Sequence, residues 1–311
     1  MDKVGSTLLD FEKAVGFKPF KLFHRDWAAT YKRHLERRKN TRTGKPLGLS
    51  TRDASLRIVK KFIEWLAFQN GYRSRVNHAD AEYFNNNMKN ARAARSLRQI
   101  RYPSLEQCDA AFRAMPEDTE IERRDKAMFA LLVLTGARDG AAATLRLKHV
   151  DVVEGMVFQD AREVKTKASK TIETWFFPVE PMYRRHLEAW VRHLRETRLF
   201  GPTDALFPKQ LVEAKDGKFK VTGFSYEPYA NAQVVNKVFK AAFVSAGMYP
   251  YTPHSVRKTL AMLMDRCCRT MEERKAWSRN LGHEQLATTV SAYMPVSRER
   301  QRELIQSLTL E

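Results

Sequence analysis

The chain has 311 residues, of which 43% are hydrophobic and 29% are charged, and its 55 Lys and Arg against 36 acidic residues give a net charge of +19. This length is sufficient for two domains, each with its own hydrophobic core. The basic excess favours a polyanionic partner, most often nucleic acid, over a merely soluble basic protein.

Several classes of protein are disfavoured by what the sequence lacks. Three cysteines, two of them adjacent, fit neither a disulfide framework nor a zinc site and agree with a reducing compartment. The sequence contains no apolar run of about 18 residues and no signal-peptide core at its start. It also lacks a phosphate-binding GxxxxGK[ST] motif and the metal-binding patterns HExxH and CxxC. We therefore expect a cytoplasmic protein without cofactor or metal.

The N-terminal part is predicted to be helical. Trp27, Tyr31 and Leu35 recur every four residues and predict an amphipathic helix over 23–38. A second helix is expected to begin at Ser50, with Asp53 in a capping-box variant, and to end at Gly71. Its predicted core stripe consists of Leu56, Val59, Phe62, Ile63, Leu66 and Phe68. A further short helix is expected over 79–88.

Charge is concentrated in the same region. Residues 1–95 carry a net charge of +12, whereas the remaining residues carry +7. A basic helical domain of this kind is suited to gripping a phosphate backbone, although such cations are also common on solvated helix faces. Arg52, Arg57 and Lys60 are candidates for phosphate contact. Residues 90–103 are basic, lack an apolar stripe and predict a linker, with 96–103 separating a domain over 1–95 from one over 104–311.

The second domain is predicted to open with a capping box at Ser104 and Gln107. A buried helix over 124–135 should then break at Thr135-Gly136-Ala137 and present Arg138. Residues 150–178 are β-rich and alternate in places, with a turn at 168–170. Helices are expected over 181–197 and 231–246, separated by a long Lys- and Gly-rich loop over 209–227.

Two short blocks near the C-terminus carry candidate chemistry. In Thr252-Pro-His-Ser-Val-Arg-Lys-Thr, Pro253 suits the first position of a helix, and His254 and Arg257 share one helix face. The second block, Leu281-Gly-His-Glu-Gln-Leu-Ala-Thr-Thr-Val-Ser-Ala-Tyr-Met, presents His283 and Tyr293. Each block alone is more often structural. Together, an arginine, two histidines and a tyrosine hydroxyl indicate a site for a phosphate oxyanion and a nucleophile.

These blocks, in this order, resemble those of the tyrosine recombinase (phage integrase) family, and Leu134-Thr-Gly-Ala-Arg138 resembles the family's first arginine block. The resemblance covers nearly the whole chain. It implies a mainly α fold with a small antiparallel β-sheet, a helical core-binding domain over 1–95, and a catalytic domain over 104–311. The implied function is cutting and rejoining of double-stranded DNA. The implied catalytic residues are Arg138, Lys167, His254, Arg257, His283 and Tyr293.

Within the β-rich region, Lys165, Lys167 and Lys170 are candidates for the hairpin lysine that the family directs at DNA, and Lys167 is the best match because it precedes the turn. The resemblance further implies that the helical tail after Tyr293, with Leu304, Ile305 and Leu308, packs on a neighbouring protomer in a tetramer on DNA. Tyr229, Tyr249 and Tyr251 are minor alternatives to Tyr293.

The chain departs from the family pattern at two points. Ala141 stands where an acid is common, and Asp139 is a possible substitute; His283 and Tyr293 are ten residues apart, one more than is usual. Two other functions stay open. One is cutting and resealing as in type IB topoisomerases, without strand exchange, and the other is sequence-specific DNA binding without catalysis.

Overall fold

The computed structural model describes residues 3–41, 43–87, 101–166, 170–215 and 218–283, with isolated positions between 286 and 306. The chain divides into two compact units, Met1–Arg98 and Gln99–Glu311. We call them the N-terminal and C-terminal units. The predicted linker lies largely outside the described residues, as does most of the predicted C-terminal tail helix.

The N-terminal unit is a small helical bundle around an aromatic core. The described part contains three α-helices and two 3₁₀ helices, which are α1 (Lys3–Ala14), α2 (Asp26–Arg37), α3 (Leu49–Leu66), Phe20–Leu22 and His78–Phe84. Phe11 lies at the centre, with ring centroids 5.2 Å from Tyr31 and 5.6 Å from Phe84. The predicted stripe of Trp27, Tyr31 and Leu35 is buried in this core.

The boundaries of α3 differ from the prediction. Gly48, in an extended conformation, occupies the N-cap without a side-chain hydrogen bond, so the capping box expected at Ser50 is wrong. Asp53 instead lies inside the helix and pairs with Arg57 at 3.1 Å. The helix ends at Leu66 rather than at Gly71, which leaves Phe68 outside the core with 61% of its surface exposed.

The C-terminal unit is built around one buried helix. Helices α4 (Leu105–Ala114) and α5 (Glu120–Thr135) come first, and both begin with capping boxes, the first of them at Ser104 and Gln107 as predicted. Every residue of α5 from 127 to 135 is buried. The other α-helices described in this unit are α6 (Asp139–Thr144), α7 (Pro181–Arg192), α8 (Gln233–Ser245), α9 (Pro253–Cys267) and α10 (Met271–Asn280).

A three-stranded antiparallel sheet packs beside these helices. It consists of β1 (Val150–Asp151), β2 (Met156–Gln159) and β3 (Ile172–Trp175) in the order β1-β2-β3. Val157 pairs with Val150 on one side and with Thr174 on the other. The prediction of a mainly α fold with a small antiparallel sheet is confirmed.

The segment predicted as a long loop over 209–227 is a β-hairpin, and that prediction is wrong. Strands β4 (Gln210–Lys215) and β5 (Lys218–Phe224) pair antiparallel, with Lys215 opposite Lys218. The intervening Asp216-Gly217 is a strong hairpin signal in sequence, because both residue types accept the positive φ of a tight turn. In the described ranges, none of the helices combines the length and the apolar character needed to cross a bilayer.

Candidate active site

The first C-terminal block forms the start of α9. Pro253 is the first helical residue, as predicted, and Ser255 Oγ both accepts from the Thr252 N–H at 3.3 Å and donates to the Thr252 carbonyl at 2.6 Å. His254 is exposed in this first turn, whereas Arg257 is only 3% exposed. The two side chains of the block therefore occupy different environments, one at the surface and one inside.

Arg257 connects the two other sequence blocks. Its Nη1 donates to the carbonyl of Gly136 and its Nη2 donates to the carbonyl of Leu281. Nη2 also lies 3.4 Å from Nε2 of His283. Since Gly136 stands two residues before Arg138 and Leu281 two before His283, one buried guanidinium links the turn that precedes Arg138 to the loop that carries His283.

Gly136 is required where α5 ends. It has a left-handed φ of 58° and forms the C-cap of the helix. A Cβ at this position would stand 2.9 Å from Leu260 Cδ1 and 3.1 Å from Leu281 Cδ2, so the first leucine side chain would have to shift and the second would be tightly packed. Glycine therefore allows both the turn and the close approach of the 281–283 loop.

Arg138 follows this turn and is the N-cap of α6. Its side chain is half-buried, and no group in the described residues accepts a hydrogen bond from its guanidinium. Asp139 accepts from its neighbour Gly140 N at 2.8 Å and from Asn236 Nδ2 at 2.6 Å. The contact with Asn236 ties α6 to α8, and neither contact involves the Arg138 guanidinium. Ala141 is buried against the core, where an acid would be costly.

His283 is oriented by two hydroxyl groups that sequence analysis did not single out. Its Nδ1 lies 2.8 Å from Thr289 Oγ1, and that oxygen lies 2.7 Å from Ser278 Oγ. Thr289 is fully buried and Ser278 is 1% exposed. Because Nδ1 is engaged, only Nε2 is directed towards Arg257 and any ligand there. The Thr288-Thr289 pair six residues after His283 is the one local signal for this arrangement.

The 281–283 loop also packs on the sheet. Gly282 has φ 72°, and a Cβ there would stand 3.0 Å from Ile172 Cδ1 on β3. Among the described residues, Lys170, Arg279 and His283 line one cleft of 530 Å³ at this junction. Glu173 also lines this cleft, so two cations and an imidazole stand against one carboxylate, a balance that favours an anionic ligand.

The structure describes two of the three candidate lysines, and Lys167 lies outside the described residues. Lys165, which is two positions before Lys167, donates from Nζ to the carbonyl of Ala230 at 2.6 Å. Lys170 is exposed and lies two residues before β3. Tyr293 also lies outside the described residues, so its assignment stays a prediction.

The alternative tyrosines occupy structural positions. Tyr229 OH accepts from Arg124 Nη1 at 2.9 Å, and burial raises the pKa of the phenol, which makes phenolate formation harder. Tyr249 and Tyr251 pack edge to face, with ring centroids 5.2 Å apart. Neither of these two contacts points to a nucleophile.

The candidate phosphate-binding cations of the N-terminal unit all have contacts within that unit. Arg52 Nε donates to the Leu47 carbonyl at 2.9 Å, and Arg57 pairs with Asp53. Lys60 Nζ lies 2.6 Å from Glu82 Oε1. Phosphate contact by these residues stays a prediction.

Across the described ranges, no group of three or more His, Cys, Asp or Glu side chains could hold a metal ion.

Comparison with known proteins identifies the family of this chain and its fold. The phage integrase family model matches residues 105–300. No curated protein sequence matched this chain. The post-cleavage complex of the XerH site-specific recombinase with a palindromic difH substrate has a TM-score of 0.62 at 15% identity, covering 97% of this chain and 77% of that one.

Two further solved structures share the fold. A lambda integrase(75-356) dimer bound to a COC′ core site gives a TM-score of 0.60 at 15% identity, covering 95% of this chain and 88% of that one. The Tn1549 transposon integrase with transposon right end DNA gives 0.51 at 12% identity, covering 97% and 93%. At such identities these structures show the fold, whereas the family model spans more than half of the chain. The chain belongs to the phage integrase family, the family of tyrosine-type site-specific recombinases.

Proposed function

We propose that this protein cuts and rejoins double-stranded DNA at specific sites through a 3′-phosphotyrosyl intermediate, without ATP or metal. The observation that carries the proposal is the bridge made by Arg257, which gathers the Arg138 turn and the His283 loop around one guanidinium. Positive charge and N–H donors held in place beside a phosphate are what phosphoryl transfer without a metal requires.

The two arginines neutralise the phosphate. A DNA phosphodiester carries a negative charge that repels nucleophiles, and this charge grows on the non-bridging oxygens in the pentacoordinate transition state. Arg138 and Arg257 offer N–H donors to these oxygens. His283, held through Nδ1, offers Nε2 to the same phosphate, and His254 at the exposed start of α9 accepts the tyrosine proton or contacts the phosphate.

Tyr293 is the proposed nucleophile. A tyrosine has a reference pKa of about 10, so its proton must be removed for attack at neutral pH. Its oxygen forms a bond to phosphorus while the bond from phosphorus to the 5′ oxygen breaks. Lys167 is the proposed general acid that protonates this leaving oxygen. The new ester conserves the bond energy, so a 5′-hydroxyl of another strand can reverse the reaction.

The N-terminal unit is the proposed DNA clamp. The net charge of +12 over residues 1–95 supports phosphate contact, and the relatives of known structure are described as bound to DNA. We further propose a homotetramer on DNA, assembled through the C-terminal tail, in the cytoplasm. The domain limits proposed from sequence, 1–95 and 104–311, are close to the two compact units.

Covalent trapping tests the proposal. The protein is incubated, without metal or ATP, with nicked suicide duplexes carrying end sequences of its host element, and an adduct stable to SDS is sought. We expect an adduct with the native protein and none with Tyr293→Phe. An adduct that persists in Tyr293→Phe would contradict the proposed nucleophile. Tight binding to these duplexes without any adduct would favour DNA binding without catalysis.

A further inference from the structure

Two aromatic side chains at the C-terminal end of α3 face solvent rather than the core of the N-terminal unit. Trp65 is 57% exposed and Phe68 is 61% exposed, whereas Leu66 between them is buried. Large aromatic rings bury favourably, and a patch of exposed apolar surface usually marks a binding surface. The pair therefore favours a binding surface at this end of the helix.

The first of two clefts beside these rings is lined by five aromatic residues. Phe62 and Trp65 are three residues apart on one helix face, with ring centroids 5.9 Å apart. Phe20 packs edge-on against Phe62, with centroids 5.1 Å apart. Phe68 and Tyr72 complete the set. The cleft has a volume of 580 Å³, within the range of about 300–1,000 Å³ that is typical of ligand sites.

The second cleft adjoins the first along Phe68 and Arg73, which line both. Its volume is 490 Å³, and Arg75 and His78 contribute to its lining. The ring centroids of His78 and Phe68 are 5.3 Å apart, and Arg73 Nε donates to the Phe68 carbonyl at 2.9 Å. These contacts hold an imidazole against the Phe68 ring and a guanidinium beside its main chain.

The polar groups of the two clefts are cations and amides. Among the described residues that line them, Arg73 and Arg75 carry positive charge and none is acidic. Gln69 and Asn70 add side-chain amides to the first cleft. Aromatic rings stack on unpaired nucleobases, cations neutralise the phosphates of the strand, and amides hydrogen-bond to base edges. The combination is therefore suited to a nucleic-acid strand whose bases are unpaired.

The same charges disfavour a second copy of this chain as the occupant of the clefts. A symmetric dimer brings the same patch of both copies together. Arg73 and Arg75 of one copy would then face their counterparts in the other, and like charges across an interface weaken association. A polyanion meets no such repulsion.

We propose that the clefts beside Trp65 and Phe68 bind single-stranded DNA, with unpaired bases stacked on the two rings and phosphates beside Arg73 and Arg75. The bases of a duplex are stacked on one another and closed to such rings, whereas a single strand offers its base faces. This ligand goes beyond the double-stranded DNA of the proposed function. The inference does not depend on Tyr293 or on cleavage, so binding alone tests it.

The test measures the affinity of the full chain for fluorescent ligands of equal length by anisotropy. They are a thymidine strand, an abasic strand and a duplex. The abasic strand keeps the phosphates but offers no base to stack, so it separates stacking from charge. Trp65→Ala and Phe68→Ala each remove one ring. Phe17→Ala is the matched control, because Phe17 is also 61% exposed and lines neither cleft.

We expect Trp65→Ala and Phe68→Ala to bind the thymidine strand about 5–100-fold more weakly than the native protein, because each loses a stacked base. Both should bind the abasic strand and the duplex within about twofold of the native protein, since the phosphate contacts remain. Trp65→Phe keeps an aromatic face and should lose less than Trp65→Ala with the thymidine strand. Phe17→Ala should match the native protein with all three ligands.

Several results would overturn the inference. They are equal losses with the thymidine and abasic strands, unchanged affinity of both variants for the thymidine strand, or a loss confined to the duplex. Unchanged strand affinity together with slower sedimentation of Trp65→Ala would show that a second copy covers these rings. Both rings are more than half exposed, so their removal should leave the fold intact. If one of the two variants does not fold, the other decides.

Discussion

Arg257 Nη1 donates a hydrogen bond to the carbonyl of Gly136, although the two residues are 121 positions apart in the chain. The same guanidinium holds the carbonyl of Leu281. This side chain fixes the loops that carry Arg138 and His283, and in the proposed function it also has a second task, which is to offer positive charge to a phosphate. Arg138, in contrast, has the second task alone among the contacts described.

This difference predicts that Arg257→Lys and Arg138→Lys differ in their free energy of unfolding. Arg257→Lys keeps the charge but cannot reach both carbonyls, and each buried carbonyl left unsatisfied costs about 1–3 kcal/mol. We expect a clear loss in the free energy of unfolding, measured with urea. Arg138→Lys should be close to the native protein in stability. Both variants should cleave suicide DNA about 10²–10³-fold more slowly. Equal stability of the two variants would contradict the bridging role of Arg257.

Gly136→Ala should destabilise the protein through two effects. The left-handed backbone disfavours a side chain, and the new Cβ would press on Leu260 and Leu281. We expect a loss of about 2–4 kcal/mol in the free energy of unfolding. Gly247→Ala is the control, because Gly247 has φ 72° with no atom within 4 Å of the added Cβ. It should lose about 1 kcal/mol from the backbone alone. Similar losses in both variants would exclude the close approach at Gly136.

Thr289→Val should impair catalysis through His283. The substitution keeps the shape of the side chain but removes the oxygen that contacts His283 Nδ1 and Ser278 Oγ. A ring that can rotate no longer presents Nε2 to the phosphate, so we expect cleavage about 10-fold slower. Thr289→Ser, which retains the oxygen, should stay within about threefold of the native rate. A Thr289→Val variant with unchanged cleavage would show that this contact does not orient His283.

The ion pair of Glu120 should make a pH-dependent contribution to stability. Hydrogen bonds from Arg198, then from His193, lower the pKa of Glu120 from 4.5 to about 2. A carboxyl whose pKa is lowered by folding stabilises the fold above its unfolded pKa, and this stabilisation disappears as the pH falls towards the folded value. Glu120→Gln should therefore be less stable than the native protein at pH 7. The difference should shrink between pH 4.5 and pH 2 in urea titrations. A difference that does not change with pH would contradict this pairing.

Local patterns in the sequence predicted several helical elements and the start of the helix that carries His254 and Arg257. Four-residue spacing placed Trp27, Tyr31 and Leu35 in the core, and Pro253 was found at the start of its helix. The spacing of the core residues and the position of the proline are both encoded by residues within one or two helical turns. The Gly136 turn was likewise marked by its own residue type.

Contacts between distant segments had no such signal. The bridge from Arg257 to Gly136 depends on how α9 packs against the end of α5, which no local spacing encodes. Nothing in the sequence distinguishes Thr289 and Ser278 from other small polar residues. Only the fold places Thr289 beside His283, and Ser278 beside Thr289. Phe68 is exposed because α3 ends at Leu66. The apolar periodicity of the sequence continues past this end, so it predicts a buried position for Phe68.

Identification of the residue joined to DNA tests the central claim most directly. After trapping on suicide DNA and nuclease treatment, the native protein is digested with trypsin and the peptide carrying the residual nucleotide is sequenced by mass spectrometry. The account predicts modification of the peptide over 280–298, whose only tyrosine is Tyr293. A nucleotide on the peptide over 241–257, which holds Tyr249 and Tyr251, or on any residue other than Tyr293, would contradict it.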